Sequence, residues 1–455
     1  MDEHGNILDD QSEEVSAEDS TSEGGTDKEK DFEFITETIK EKPINKKRIL
    51  GKILLTLFLA VMFGLVAGLV FLLSQKYLDP VINPVEPQKV EVAQEEEEPE
   101  EPVAEEPAAP AEPAPEQIVT QIVEKVEKVD LEIDDYKILS EKLHGVATEA
   151  GKSMVTVTGL SSDMDWFMNS YENENQTSGL IVADNGKELL ILAHKNVIEN
   201  AESIQVTFCD GTEVAATNKK VDPNTGLAIV AVELSEISEE TMNAITQATF
   251  GNTKSSSIIG IPVIAVGNPL GYAESVGTGY ITSNSYVVDM VDTSIKLVTT
   301  DIYGSKAGSG VIINLDGKVL GIVCLENFGT DENNLLKAYA ISDIITVIDK
   351  LLNGQDIAYL GIKGTDVTEK ISEEQGVPIG AYVTEVIMDS PAMQEGIQSG
   401  DVIVKMGTMD ILSFADYRAA MMKSQPGDLM MITVKRLGKG GYIELSYEIT
   451  LGTLE

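Results

Sequence analysis

The chain has 455 residues, enough for two or three domains, and a formal net charge of -43. A charge of that sign and size excludes a general binder of nucleic acid or of anionic membrane surfaces, because both partners are polyanions. The two cysteines and three histidines form no cluster with metal-ligand spacing, so neither a metal site nor a cofactor is expected.

Residues 1–45 are rich in Asp, Glu, Ser, Thr and Gly and show no periodic apolar pattern, which predicts a disordered acidic tail. Ile53 to Leu73 is a run of 21 residues without a charge, inside a predicted transmembrane helix over 50–75. Lys46, Lys47, Arg48 and Lys52 precede it and acidic sequence follows, so the positive-inside rule predicts a single-pass cell-membrane protein with a cytoplasmic N-terminus. Residues 79–116 hold nine of the sixteen prolines and a dense set of glutamates, the composition of an extended spacer. A helical lead-in is expected over 117–150, first from Ile118, Ile122, Val126 and Val129, then from Tyr136, Leu139, Leu143 and Val146. Cys209 and Cys324 each sit in an apolar strand-like run; the exported side permits a disulfide, and strand-core thiols are the simpler expectation.

From 151 to 354 the pattern is one of short apolar runs separated by turn signals such as Asp184-Asn185-Gly186, Asp210-Gly211 and Asp316-Gly317. Many short strands without long interleaved helices predict a mostly β domain, a sandwich or barrel, closed by a helix at Ile341–Leu352. Several motifs stand in a specific order. They are Ser178-Gly179-Leu180-Ile181-Val182, Leu192 to Ile198, Asp222 to Ala228, Ala265 to Gly271, Val276 to Ile281, and Thr300-Asp301 with Asn314 to Gly317 around a Gly-rich turn at Gly304–Gly310. In that order they resemble the HtrA/Deg family, trypsin-fold serine proteases with two β-barrels followed by a PDZ domain.

The resemblance implies where a catalytic triad would stand. The histidine position, just before Val197-Ile198, holds Asn196, and the aspartate position, just before Leu227-Ala228, holds Gly226. Counting forward from Asp301 puts Ser309 at the nucleophile position; counting back from Asp316-Gly317 puts Gly308 there. A serine hydroxyl needs a neighbouring base to become a nucleophile, and asparagine and glycine supply neither base nor orienting carboxylate. His194 with Asp222, or Lys306, are the substitutes within reach in sequence, each requiring a shift of register or burial. The sequence therefore predicts a pseudoprotease, with Ser309 as the one candidate catalytic residue. The competing expectation is a divergent serine endopeptidase using Ser309 with His194.

Residues 357–453 resemble the family's PDZ domain, with Tyr359-Leu360-Gly361-Ile362, a short helix capped by Ser390, Gly400-Asp401-Val402-Ile403-Val404 and a helix from about Phe414 to Lys423. A PDZ domain adds an extended peptide to a sheet edge. The resemblance implies that the amides of Tyr359, Leu360, Gly361 and Ile362 receive a terminal carboxylate. The expected partners are therefore peptide or protein C-termini and the membrane, without nucleic acid, and the family implies a homotrimer. The expected function is peptide or unfolded-protein binding in envelope quality control or scaffolding.

Overall fold

The computed structural model describes residues 54–70, 87–92, 132–164, 170–324 and 334–454. The expected acidic tail, most of the spacer and the helical pattern at 118–129 lie outside the described residues. The chain divides into two compact units, 1–83 and 84–455.

In the first unit, residues 54–70 form helix α1, and all of them are solvent-exposed, including Leu54, Phe58, Phe63 and Leu69. These 17 described residues span about 25 Å at the helical rise. Among the described residues no helix is long and apolar enough to cross a membrane.

The second unit contains everything else. Residues 87–92 lie against it in extended form: Val90 exchanges hydrogen bonds with the Asn353 side chain at 3.1 and 2.8 Å, and the Val92 amide donates to Asp349 at 3.0 Å. Helix α2 (Ile133–Gly151) opens on a reciprocal cap between Glu132 and Asp135. It packs Leu143, Val146, Ala147 and Ala150 on the core while Ile133, Tyr136 and Leu139 stay exposed.

Six strands close the first barrel in the order β1-β2-β3-β6-β5-β4. They are β1 (Met154–Met164), β2 (Ser170–Asp184), β3 (Glu188–His194), β4 (Ser203–Thr207), β5 (Glu213–Val221) and β6 (Leu227–Glu233). β3 and β6 read as unbroken apolar runs because both of their faces are buried. Leu189, Ile191 and Ala193 enter the barrel interior, while Leu190 and Leu192 join a larger core shared with the second barrel. After helix α3 (Glu239–Ala244), the second barrel closes in the order β10-β11-β12-β9-β8-β7. Its strands are β7 (Pro262–Asn268), β8 (Ser275–Met290), β9 (Thr293–Tyr303), β10 (Ser309–Ile313), β11 (Val319–Val323) and β12 (Leu335–Ala340). Helix α4 (Ile341–Leu352) follows, with Ile341, Ile344, Val347, Ile348 and Leu351 buried in the shared core. The β expectation thus takes the form of two barrels.

The expectation of two strand-core thiols fails for Cys209. It lies just past β4, where the Asp210-Gly211 turn carries it to the surface; neither cysteine forms a disulfide, and Cys324 is half-buried just after β11.

The C-terminal part pairs β13 (Ala358–Tyr359) with β20 (Gly452–Thr453). Its main sheet runs β14 (Ile362–Asp366), β15 (Ala381–Val386), β16 (Val402–Met406), β18 (Leu429–Gly438) and β19 (Gly441–Thr450), with β17 (Met409–Asp410) on β16. Helices α5 (Glu369–Gln375), α6 (Pro391–Glu395) and α7 (Phe414–Lys423) complete it, each N-capped by a Thr or Ser hydroxyl. β14 is the edge strand next to α7, and β19 forms the opposite edge. This part docks on the second barrel. Arg418 of α7 donates to the Ser294 carbonyl at 3.0 Å and to the Asp343 carbonyl, and Lys350 of α4 donates to the Ser424 carbonyl at 3.2 Å.

Candidate functional site

The register of β3 on β6 places His194 opposite Leu227, so the end of β3 and the start of β6 meet at the mouth of the cleft between the barrels. Asn196 stands on the 3-10 turn Lys195–Val197 and is exposed. It is His194, two residues earlier, that lines the cleft, together with Ser178, Ser309 and Gly310. His194 caps the turn, with its Nδ1 accepting the Asn196 N–H at 3.3 Å. A ring nitrogen that accepts an N–H carries no proton, so this contact selects the tautomer protonated at Nε2.

Gly226 explains where the imidazole goes. Its φ is +70°, a conformation that L side chains rarely adopt, and a Cβ built on it would lie 2.6 Å from His194 Nε2 and 3.0 Å from Cε1. The ring fills the space that an aspartate side chain at 226 would need. Asp222, four residues before Gly226, is engaged within its own turn. Its oxygens accept from the Thr225 hydroxyl at 2.5 Å and from the Thr225 and Asn224 amides at 3.1 and 3.3 Å, closing the turn that leads to Gly226. Burial pushes the Asp222 carboxyl up from its ordinary range, against the pull of those hydrogen bonds and of the Lys195 charge.

Ser309 opens β10, paired with Asn268 of β7, and is buried at 5% exposure. Its Oγ accepts the Ser178 N–H at 2.9 Å and donates to Ser178 Oγ at 3.2 Å. The proton is thus given to another hydroxyl, which has no basicity at neutral pH. The amides that precede it are also used within the turn. Ser305 donates to the Pro269 carbonyl at 3.0 Å, Gly308 to the Ser305 carbonyl at 2.9 Å, and Ala307 to Ser305 Oγ at 3.2 Å. An oxyanion hole needs donors aimed at a substrate oxygen, and these three are aimed inward. Lys306 is exposed on this turn.

The second candidate site is the loop Tyr359–Ile362. Gly361 has φ +90°, and a Cβ there would stand 2.2 Å from Ser390 Cβ, so only glycine lets the loop pass under α6. The result is a cradle of convergent amides. Leu360 and Gly361 donate to Asp292 Oδ2 at 2.8 Å each, and Ile362 donates to Oδ1 at 3.0 Å. The Tyr417 hydroxyl of α7 donates to the same Oδ1 at 2.6 Å. Burial pushes the Asp292 carboxyl up while these four donors hold it down, and burial beside that carboxylate drives the Tyr417 hydroxyl well above its ordinary value. Tyr359 is in the loop, but its own amide is not among the donors to Asp292.

Sequence reasoning singled out neither Ser178 as a partner of Ser309 nor Asp292 and Tyr417. The one local sign of Asp292 is its position in a two-residue turn between strand-like runs.

The profile of the trypsin-like peptidase domain matches residues 177–322, and that of the PDZ domain matches 358–446. The serine protease Do-like HtrB of Bacillus subtilis is 32% identical over 282 residues, 58% of this chain and 60% of HtrB. The serine protease Do-like HtrA of Lactococcus lactis subsp. cremoris is 27% identical over 359 residues, 74% of this chain and 84% of that protein. Several relatives are spanned over less than two thirds of their own length, among them HtrB and, at 56%, the periplasmic serine endoprotease DegP of Escherichia coli. Among solved structures, a variant of the HtrA-type protease AlgW with a decapeptide shares the fold at a TM-score of 0.50, covering 68% of this chain and 97% of that one at 20% identity.

Proposed function

Starting from the premise that the chain belongs to the HtrA/Deg family, with a trypsin-like domain followed by a PDZ domain, we propose that it is a membrane-anchored pseudoprotease. On this reading it captures peptides or unfolded proteins through the PDZ domain, in envelope protein quality control or as a scaffold. The observation that carries the reading is the bonding of Ser309: its hydroxyl proton goes to Ser178, while His194 is spent as a turn cap over Gly226. Without a base the nucleophile is inert, and loss of a whole triad costs about 10⁶ in turnover.

Three further features support the setting. Helix α1 carries no charged residue and is solvent-exposed along its length, and basic residues precede it in sequence. The cradle at Leu360–Ile362 is a carboxylate site in form. The AlgW variant that shares the fold carries a decapeptide. Assembly as a homotrimer is carried only by the family resemblance.

The test is casein turnover and fluorophosphonate labelling of the full chain in detergent, beside Ser309→Ala. The expected outcome is that both proteins show the same background. Turnover or labelling that disappears in Ser309→Ala would show that Ser309 is an active nucleophile and would replace the pseudoprotease by an endopeptidase.

A further inference from the structure

The carboxylate in the cradle does not come from the C-terminal domain. It comes from the barrel. β8 and β9 close on the pair Met290 and Thr293, leaving Val291 and Asp292 as the turn. Asp292 has φ +57°, unusual for a residue with a side chain, and is only 4% exposed. Its backbone is engaged as well: the Asp292 N–H donates to the Ile362 carbonyl at 2.8 Å. One residue therefore gives the cradle a carboxylate and gives the first carbonyl of the β14 edge an amide. These are the two things that the last residue of an added peptide strand supplies.

We propose that Asp292 is an internal ligand of the PDZ domain. Its side-chain carboxylate stands in for a peptide C-terminus, so that a peptide with a free terminal carboxylate enters only when the β8–β9 turn withdraws. This rests on the reading that the PDZ domain captures such peptides. The coupling runs both ways. An arriving carboxylate competes for Leu360, Gly361, Ile362 and Tyr417, and by displacing Asp292 it loosens the PDZ domain from the second barrel and α4, to which Arg418 and Lys350 still clamp it. The apparent affinity is the intrinsic affinity scaled by the fraction of molecules in which the turn has left.

The experiment uses the full chain in detergent and two pools of fluorescein-labelled decapeptides. Every peptide ends in Ala, Val, Leu, Ile or Phe, as the free acid in one pool and as the amide in the other, and binding is read by anisotropy. Asp292→Ala empties the cradle; Arg418→Gln releases a clamp without touching the cradle and decides the matter if the first variant folds poorly. The expected result is that Asp292→Ala binds the free-acid pool at least tenfold more tightly than the unaltered chain, Arg418→Gln several-fold more tightly, and neither gains affinity for the amide pool. If the unaltered chain binds the free acids and neither variant improves on it, the internal-ligand proposal is wrong while peptide capture stands. If no protein binds either pool, peptide capture by carboxylate recognition fails, and the proposal fails with it.

Discussion

Replacing Gly226 by alanine probes the packing of His194 over Gly226 directly. At φ +70° a β-carbon costs about 1–2 kcal/mol of backbone strain. The same carbon would meet His194 Nε2 at 2.6 Å, and forcing an atom into an occupied space costs about 1–3 kcal/mol. To make room the ring must leave the Asn196 amide that it caps. Gly226→Ala should therefore lower the local stability of the first barrel by about 2–5 kcal/mol, the sum of those two effects. In a His194→Ala background the steric part vanishes and only the strain remains, so the cycle should show a coupling of about 1–3 kcal/mol. Hydrogen exchange of the β3 and β6 amides in all four proteins reads the free energies where they act. An equal cost of Gly226→Ala in both backgrounds would refute the idea that the imidazole occupies the aspartate's space. The consequence for chemistry is concrete: Asn196→His with Gly226→Asp cannot rebuild a triad while His194 stays, and removal of His194 is the least additional change required.

Gly361→Ala, with a β-carbon 2.2 Å from Ser390 Cβ at φ +90°, should destabilise the PDZ domain by roughly 2–4 kcal/mol, seen as a lower midpoint of its thermal transition. Asp222 has a pKa raised above 3.8 when folded. The folded chain thus holds more protons than the unfolded one just above that value, and the Asp222 contribution to stability falls as pH rises through the window between the two pKa values. Asp222→Asn, which keeps an acceptor oxygen, should remove that decline when urea midpoints are compared across the acidic range. Deleting residues 1–75 should convert a protein that resists alkaline carbonate extraction from membranes into one that needs no detergent; carbonate release of the full chain would refute the anchor.

Much of the architecture was legible because it is local. Helix α4 lies where the sequence placed it, at Ile341–Leu352, helix α7 where the PDZ resemblance implied it, and the order of the barrel motifs carried the double-barrel expectation. The residue types at 196 and 226 were equally plain, and so was the Gly361 loop. Cys209 was misjudged because an apolar run says nothing of where the following turn carries its last residue.

By itself the sequence determined the kinds of element, their order, and which residue types stand at positions 196, 226 and 309. Tertiary structure decided what the remaining groups do. His194 reaches the space above Gly226 only through the β3–β6 register, and Ser309 finds Ser178 across a separation of 131 residues. Asp292 finds the cradle 68 to 70 residues away, through docking of the PDZ domain on the second barrel. Periodicity and capping report on neighbours in the chain; a hydrogen bond between distant turns is fixed by how packed domains meet, and no local pattern encodes that.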